Sequence, residues 1–173
     1  MREAGVPVVP GSISVLYDVG EALEEARKMG FPVMIKASSG GGGKGMRECY
    51  KEADFEKDFL TAQRESANAF SDDAMYLEKL ILEPRHVEVQ IMGDSYGHVV
   101  ALGERDCSIQ RNHQKLVEES PSPAVSEKTR KAMMEAAVKA AASVRYTGAG
   151  TIEFIMDKDG QFYFMEMNTR IQV

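Results

Sequence analysis

The fold is decided by Ser38-Ser-Gly-Gly-Gly-Gly-Lys-Gly-Met-Arg47, a glycine-rich loop that follows a short apolar stretch at residues 31–37. Consecutive glycines lack Cβ atoms, so several backbone N–H groups can turn towards one point, as phosphate binding requires. Lys44 and Arg47 add positive charge to the loop. The apolar stretch predicts a strand before the loop, and residues 46–50 predict a second strand after it. The pattern therefore indicates a strand–loop–strand unit that covers a phosphate group.

Three classes of glycine loop and a flexible linker compete for this motif. A P-loop needs Ser or Thr after Lys44 to bind magnesium, but Gly45 stands there. The string Gly40-x-Gly42-x-x-Gly45 matches the dinucleotide fingerprint only formally, because a strand rather than a helix is predicted to follow. A cover over ATP phosphates, as in protein kinases, fits better, and a flexible linker is the structural alternative. Lys36 ends the first strand beside the loop, so we expect it to bind phosphate rather than only to reach solvent.

Hydrophobic periodicity divides the rest of the sequence into helices and strands. Helical spacing predicts helices at residues 18–29, 52–70 and 126–144. Alternation and turn signals predict strands at residues 75–82, 85–92, 98–104, 150–156 and 161–168. This order of elements predicts an α+β fold with mostly antiparallel sheet. We expect a leading segment over residues 1–10, a small lobe with the glycine loop over residues 11–80, and a second lobe of sheet and helices over residues 81–173.

Two acidic residues, Glu153 and Glu166, lie on the two strands of the last predicted hairpin. In the register of a four-residue turn, Glu153 faces Phe164, and Glu166 projects from the same face two residues further on. Asn168 follows on that face. Two carboxylates and an amide form an oxygen site that suits Mg²⁺ or Mn²⁺ held jointly with nucleotide phosphates. A solvated face is the alternative, but Phe162 and Phe164 are expected on the same side, where buried like charges would repel without a cation.

Residues 104–115 gather many polar side chains into a stretch that is expected to be a loop. No residues in it have the spacing of a zinc site, and Cys107 is expected to be a packed side chain rather than a nucleophile. Because the stretch runs directly into Leu116 and Val117, we expect it to form a polar pocket wall; a solvated loop is the alternative. Arg170 carries a planar guanidinium that suits a small oxyanion, and a surface salt bridge is its alternative role.

Composition and charge exclude several classes of function. A chain of 173 residues can bury a core without disulfides or a structural metal. A net charge of −6, from 21 basic and 27 acidic residues, argues against non-specific nucleic-acid binding. No apolar run is long enough for a membrane span, and the first residues are not a signal peptide. Two cysteines give no disulfide framework, so we expect a reduced, cytoplasmic protein.

Seven motifs spread along the chain carry a family resemblance. The most specific are Glu104-Arg-Asp-Cys-Ser-Ile-Gln110 and His113-Gln-Lys115. The others are Met34-Ile-Lys-Ala-Ser38 with the glycine loop, Glu78-Lys-Leu-Ile81, Pro84-Arg-His-Val-Glu88, Gly148-Ala-Gly-Thr151 and Phe164-Met-Glu-Met-Asn-Thr-Arg-Ile-Gln-Val173. Together, and almost end to end, they resemble the ATP-grasp region of biotin carboxylase, which is a subunit or domain of acetyl-CoA, propionyl-CoA and pyruvate carboxylases. The resemblance implies an ATP-grasp fold.

The resemblance also implies an ATP site, a metal site and an anion site. Residues implied to bind ATP are Lys36, Gly40, Gly41, Gly42, Gly43, Lys44, Gly45, Glu78, Lys79, Ile81, His86, Gln110 and His113. Of these, Lys36 and the loop would hold the phosphates, Glu78 the adenine and His86 the ribose. The implied ligands of Mg²⁺ or Mn²⁺ are Glu153, Glu166 and Asn168. Bicarbonate would be held by Lys115, Arg170, Gln172 and Val173, with Lys115 and Arg170 as the catalytic residues.

The reaction that the resemblance implies uses ATP and bicarbonate to form carboxyphosphate, and then carboxylates N1′ of biotin on a carrier protein. In the family, the Arg-Ile-Gln-Val segment continues into a glutamate base, and further domains lie on both sides of this region. We therefore expect a fragment without full turnover, from a parent enzyme that forms a dimer. A ligase of the carbamoyl-phosphate synthetase type and a non-catalytic nucleotide-binding module are the alternatives.

Overall fold

The structure is a computed structural model that describes residues 1–39, 45–112 and 114–172. The chain divides into two compact units. We call Val9–Leu80 the glycine-loop unit, and Met1–Val8 with Ile81–Val173 the sheet unit. Each unit has its own buried apolar core. No helix in the described ranges is long and apolar enough to cross a membrane.

The glycine-loop unit is a three-stranded antiparallel sheet with two helices. Its elements are α1 (Val19–Met29), β1 (Val33–Ala37), β2 (Met46–Cys49), α2 (Glu52–Phe70) and β3 (Met75–Lys79), and the strand order is β2-β1-β3. Because β1 and β2 pair antiparallel on either side of the glycine loop, the predicted strand–loop–strand unit is confirmed. The predicted conformation of residues 40–44 lies outside the described residues.

Alternation and helical spacing build the core of this unit. Val33 and Ile35 on β1 are fully buried, and so are Phe55 and Phe59, which lie one turn apart on α2. The two phenylalanine rings stack with their centroids 5.8 Å apart. The apolar face of α2 therefore packs on the sheet, where each buried aromatic ring contributes about 1.5–3 kcal/mol of stabilisation.

Gly45 closes the hairpin in a conformation that needs glycine. Its φ is +71°, and a Cβ built on it would lie 2.7 Å from the Cβ of Ala37. The N–H of Ala37 donates to the carbonyl oxygen of Gly45 at 2.8 Å. A side chain at position 45 would therefore clash and push the two strands apart where the loop leaves them.

The sheet unit is a five-stranded antiparallel sheet packed against one long helix. Its elements are β4 (Arg85–Gly93), β5 (Val99–Arg111), β6 (Gln114–Glu119), α3 (Glu127–Ser143), β7 (Gly148–Met156) and β8 (Phe162–Asn168), and the strand order is β6-β5-β4-β7-β8. The core contains Val87, Val89 and Ile91, which share one face of β4 as predicted, together with side chains of α3. Val6 from the start of the chain joins the same core.

Residues 104–115 are not the loop that we predict from the sequence. β5 continues through Arg111, and β6 begins at Gln114. The pairing of these two strands is irregular, with register shifts between Asp106 and Ile109 and between Ile109 and Gln110. Polar side chains lie on both faces of this part of β5, so it lacks the alternation that identifies a half-buried strand.

The last hairpin has a different register from the predicted one. Met156 pairs with Phe162, so the connection has an odd number of residues, and Phe154 pairs with Phe164. The rings of Phe154 and Phe162 meet edge to face, with centroids 5.4 Å apart. The two phenylalanines of β8 therefore lie on the face of Phe154, which belongs to the apolar core.

A bulge in this hairpin brings the two predicted acidic ligands opposite one another. The register shifts between Glu153 and Phe154, and Glu153 then pairs with Glu166. The prediction that Glu153 faces Phe164 is wrong, and so is the prediction that Phe162 and Phe164 lie on the side of the acids. The prediction that the two carboxylates share one face is confirmed, because directly paired residues of an antiparallel sheet project from the same side.

Candidate active site

In the glycine-loop unit, Lys36 and Glu78 form an ion pair. Met34 is the strand partner of Glu78, and Lys36 lies two residues further along β1, so the paired side chains are diagonal neighbours on one face. The ammonium group of Lys36 also lies 5.8 Å from the centre of the Tyr76 ring. Both side chains of the ion pair are partly exposed. A phosphate group could therefore replace the carboxylate at Lys36.

Lys79 and Ile81 follow at the end of β3. The ammonium group of Lys79 donates to the carbonyl oxygen of Gly30 at 2.8 Å, and its backbone N–H donates to the carbonyl oxygen of Pro10 at 2.7 Å. Ile81 is half-buried and begins the second part of the sheet unit. Some predicted ATP and anion ligands lie outside the described residues. They are Gly40, Gly41, Gly42, Gly43, Lys44, His113 and Val173.

Glu153 on β7 is the centre of a polar cluster in the sheet unit. Its side chain is 5% exposed, and its Oε2 contacts Nε2 of His86. Its Oε1 accepts hydrogen bonds from Asn168 Nδ2 at 2.8 Å and from Gln172 Nε2 at 2.9 Å. The ammonium group of Lys115 lies 3.2 Å from the same oxygen. The carboxylate of Glu153 therefore contacts four residues that are predicted to bind three different ligands: ATP, a metal ion and bicarbonate.

These contacts keep Glu153 ionised. Burial by itself raises the pKa of this carboxyl, but the hydrogen bonds from His86 and Gln172 and the positive charge of Lys115 outweigh it and lower the pKa to about 2. Glu153 is consequently a carboxylate at neutral pH, which is the form that binds a divalent cation.

A second carboxylate, Glu88 on β4, holds Lys115 from the other side. Glu88 is fully buried, and its Oε2 pairs with the ammonium group of Lys115. Its Oε1 accepts a hydrogen bond from Arg105 Nε at 2.5 Å. Burial alone lowers the pKa of Lys115, but the hydrogen bond and charge of Glu88 and the charge of Glu153 outweigh it and raise that pKa above 10.5. Lys115 therefore stays cationic, and it also donates to Oε1 of Gln172 at 2.6 Å.

Glu88 and Arg105 belong to this cluster although the sequence analysis does not single them out as site residues. The available signal is the alternation along β4, which places Glu88 on the same face as His86, two residues away. Burial of an acidic residue in the middle of a strand requires a cationic partner. The sequence alone does not show that Lys115 and Arg105 provide the positive charge.

The ring of His86 is held at both nitrogen atoms. Its Nδ1 lies 2.7 Å from Nε2 of Gln110, an amide nitrogen that also donates to the carbonyl oxygen of Cys107 at 2.8 Å. Since Gln110 offers a donor, we assign Nδ1 as the acceptor and Nε2 as the protonated nitrogen that donates to Glu153. Two predicted ATP residues, His86 and Gln110, are thus brought together on β4 and β5.

Asn168 connects the two predicted acidic metal ligands. Its Nδ2 donates to Glu153 Oε1 at 2.8 Å and to Glu166 Oε1 at 3.2 Å. The amide nitrogen therefore stands between two carboxylates, where a cation would also be attracted. Rotation of the amide would present Oδ1 instead, giving the carboxylate and amide oxygens that Mg²⁺ and Mn²⁺ prefer. These oxygen ligands fit the predicted Mg²⁺ or Mn²⁺.

Another group of potential metal ligands fits less well. Single ligand atoms of Glu88, Cys107 and Glu118 lie within 4.8 Å of one another. Burial raises the pKa of the Cys107 thiol to about 12, so the thiolate that a metal would need is scarce. Glu88 is already neutralised by Lys115 and Arg105. These three side chains therefore fit Mg²⁺ or Mn²⁺ less well than the predicted ligands Glu153, Glu166 and Asn168 do.

The predicted anion site is only partly assembled. Lys115 and Gln172 are in direct contact, whereas Arg170 is exposed and its guanidinium donates to the carbonyl oxygen of Ile171 at 3.2 Å. Among the hydrogen bonds of the described residues, Arg170 makes none to Lys115 or Gln172. Its backbone oxygen accepts a hydrogen bond from Thr151 Oγ1 at 3.1 Å, which fixes the chain just after β8.

A glycine hairpin on a small sheet, together with a lysine and carboxylate cluster on a larger antiparallel sheet, defines a nucleotide-binding domain of the ATP-grasp class. Comparison with known proteins agrees, because residues 1–173 match the family model described as "Carbamoyl-phosphate synthase L chain, ATP binding domain". The chain belongs to this family.

Several proteins with sequences similar to this chain are biotin carboxylases. The biotin carboxylase of Nostoc sp. is 58% identical over the whole chain, and the chloroplastic biotin carboxylase of Arabidopsis thaliana is 57% identical; the chain covers 39% and 32% of these proteins. The solved structures agree with this relationship. A biotin carboxylase–β,γ-ATP complex from Campylobacter jejuni has a TM-score of 0.88 and 53% identity, over 99% of this chain and 39% of that one.

A second solved structure is the biotin carboxylase domain of the 2-oxoglutarate carboxylase from Hydrogenobacter thermophilus. It contains MgADP, ADP and bicarbonate, and it has a TM-score of 0.85 and 50% identity over 99% of this chain and 38% of that one. The predicted α+β ATP-grasp fold and the resemblance to biotin carboxylase are confirmed. The chain spans about two-fifths of the length of the Nostoc protein.

Proposed function

We propose that this ATP-binding domain acts in a biotin carboxylase and binds MgATP and bicarbonate. The observation that carries the proposal is the Glu153 cluster, in which one carboxylate contacts four predicted ligand-binding residues. His86 is predicted to bind the nucleotide and Asn168 the metal. Lys115 and Gln172 are predicted to bind bicarbonate. In the whole enzyme, ATP and bicarbonate would form carboxyphosphate, and N1′ of biotin on a carrier protein would then be carboxylated.

The glycine-loop unit would bind the phosphates and the adenine. Lys36 would exchange Glu78 for phosphate, and the loop at residues 40–45 would close over the phosphates with its backbone N–H groups. Glu78, freed from Lys36, would accept a hydrogen bond from the adenine amino group, beside the backbone at Lys79 and Ile81. The exchange loses little stability, because the ion pair is partly exposed.

The sheet unit would hold the metal and the ribose. His86, Gln110 and His113 would lie against the nucleotide, and Glu153, Glu166 and Asn168 would bind Mg²⁺ or Mn²⁺. The bound metal would offset the charge of the phosphates during phosphoryl transfer. Lys115 contacts the same carboxylate, so its ammonium group would compete with a cation held by Glu153.

Lys115 would act on bicarbonate as a fixed positive charge. Its raised pKa makes it a poor proton acceptor at neutral pH, so it would orient the anion rather than act as a base. Gln172 would donate to the same anion, and Arg170 would turn its exposed guanidinium towards it with the backbone of Val173. Bicarbonate would thereby be held beside the phosphate that it attacks.

The remaining proposals concern the parent protein. Its partners would be a biotinyl carrier protein and a second copy of the enzyme. We propose the cytoplasm as its compartment, and the two buried free cysteines, Cys49 and Cys107, are compatible with a reducing environment.

Nucleotide binding by the 173-residue chain tests the proposal. We expect calorimetry to detect MgATP binding that Lys36→Met weakens by about tenfold or more, because one charge-assisted contact to phosphate is lost. Glu166→Gln should weaken binding only when the metal is present. Lys28→Met is the matched control, since Lys28 is 70% exposed on α1 and pairs only with Glu25 of its own helix among the described residues.

Two results would contradict the proposal. One is a wild-type chain that binds no nucleotide at millimolar MgATP, and the other is equal affinity in Lys36→Met and Lys28→Met. The second result would favour a non-catalytic module in which nucleotide binds elsewhere. In the parent enzyme, a product assay with biotin and with ammonia separates a biotin carboxylase from a ligase of the carbamoyl-phosphate synthetase type.

A further inference from the structure

The backbone N–H of His86 lies at the point where the β4–β5 pairing stops. The last strand partners on this side are Val87 and Asp106. Beyond them, the N–H of His86 donates to the side-chain oxygen of Ser108 at 3.0 Å. A serine hydroxyl therefore replaces the backbone carbonyl that would continue the ladder, at the residue whose ring contacts Glu153.

Asp106 fixes the orientation of this hydroxyl. The carboxylate is buried, and its Oδ1 accepts hydrogen bonds from the backbone N–H of Ser108 at 3.0 Å and from the Ser108 hydroxyl at 2.6 Å. Because the hydroxyl proton points to Asp106, the serine oxygen offers its lone pairs to the N–H of His86. Burial raises the pKa of Asp106, but the hydrogen bonds from Ser108 and Ser122 outweigh it and lower the pKa, so the carboxylate remains an acceptor.

The same part of β5 also orients the ring of His86. Gln110, two residues after Ser108, contacts Nδ1 of the ring, and its amide nitrogen is tied to the carbonyl oxygen of Cys107. Ser108 thus fixes the backbone of His86, while Gln110 fixes its imidazole. A shift of the backbone would move the ring away from both Gln110 and Glu153.

We propose that Asp106 and Ser108 are positioning residues for the nucleotide site and act through His86. The order of contacts is Asp106 to Ser108, Ser108 to the backbone of His86, and the His86 ring to Glu153. The proposal rests on the proposed function, in which His86 contacts ATP. It assigns a role in ligand affinity to two residues of β5 that are not themselves expected to touch a ligand.

Ser122 provides a matched control for Ser108. Its hydroxyl donates to the other oxygen of the same carboxylate, Oδ2 of Asp106, at 2.9 Å. Both serines therefore stabilise Asp106 through one hydroxyl, and loss of either should lower the protein's stability by a similar amount. Of the two serines, only Ser108 has a hydrogen bond to His86. A role limited to stability would make Ser108→Ala and Ser122→Ala behave alike.

The test compares MgATP affinity by calorimetry with the NMR signals of the His86 ring. The chain has three histidines, so the ring signals can be assigned by single substitutions. We expect Ser108→Ala to weaken MgATP binding roughly three- to tenfold, as loss of one partly buried hydrogen bond predicts, and to shift or broaden the His86 signals without nucleotide. Ser122→Ala should leave both measurements near the wild-type values, and Ser108→Thr, which keeps a hydroxyl, should restore both.

The proposal is overturned if Ser108→Ala and Ser122→Ala give the same affinity and the same His86 signals. If Ser108→Ala does not fold, Ser108→Cys replaces it, because sulfur keeps a similar volume but is a weak acceptor. If the wild-type chain binds no MgATP, the proposed function fails. The His86 signals in the nucleotide-free protein then still decide whether Ser108 positions this ring.

Discussion

Replacing Glu153 by Gln should remove a pH-dependent part of the protein's stability. The pKa of Glu153 is lowered from 4.5 to about 2 in the folded protein. Its ionisation therefore stabilises the fold fully above pH 4.5, and this contribution is lost as the pH falls through about 2. The difference between the two pKa values corresponds to about 3 kcal/mol at pH 7. Solvent screening changes little, because the side chain is only 5% exposed.

Urea unfolding followed by circular dichroism, in buffer with a metal chelator, measures this contribution between pH 7 and pH 3. Glu153→Gln has no charge at position 153, so its free energy of unfolding should lie about 3 kcal/mol below wild type at pH 7. The gap should narrow to about 1 kcal/mol near pH 3, since much of the wild-type contribution has then disappeared. The other carboxylates are common to both proteins and largely cancel in the difference.

Glu127→Gln serves as the control for this experiment. Glu127 is 88% exposed and pairs with Arg130 at 2.6 Å, so its replacement should change stability by about 0.5 kcal/mol or less at any pH. A gap between wild type and Glu153→Gln that stays constant from pH 7 to pH 3 would refute the reasoning, because it would come from packing rather than charge. Equal stability at pH 7 would show that His86, Lys115 and Gln172 do not stabilise the carboxylate.

Two further predictions concern other parts of the chain. Burial raises the pKa of Cys49 to about 11 and that of Cys107 to about 12. Neither thiol should therefore react with a disulfide reagent at pH 8 until urea unfolds the protein. Rapid labelling of the native chain would contradict this prediction. Asp18→Ala should lower the free energy of unfolding by about 1 kcal/mol, because the Asp18 carboxylate accepts the N–H of Glu21 at 2.9 Å at the start of α1. Asp18→Asn keeps an acceptor and should lose less, and equal losses in the two variants would argue against a capping role.

Elements with strong local signals can be predicted from the sequence. Helix α2 spans Glu52–Phe70, which are the predicted bounds, and α1 begins one residue after the predicted start, where Asp18 caps it. Both results follow from local signals, namely the spacing of hydrophobic residues along the helix and the residues at its ends. The alternation of β4 likewise predicts correctly that Val87, Val89 and Ile91 point to the core.

The Glu153 cluster could be predicted only in part, because its contacts join residues far apart in the chain. Lys115 reaches Glu88 across 27 positions and Gln172 across 57 positions. Motif resemblance predicts several members of the cluster, but it does not show which atoms meet. For Glu88, the local signal is limited to the alternation along β4, which places it on the face of His86. Only the β4–β5 pairing makes Glu88 and Arg105 partners.

The last hairpin shows why the face on which a strand residue lies depends on every residue between it and its partner. The predicted register uses an even turn without a bulge, whereas the structure has an odd connection and one unpaired residue, Met165, in β8. Either change alone would move Glu166 to the face opposite Glu153, and together they cancel. Burial selects this combination: Phe154 packs on Phe162 in the core, while Glu153 receives its donors on the other face. Both requirements are satisfied only when one residue of β8 is left out of the pairing, so the shared face of the carboxylates follows from the packing of the whole hairpin.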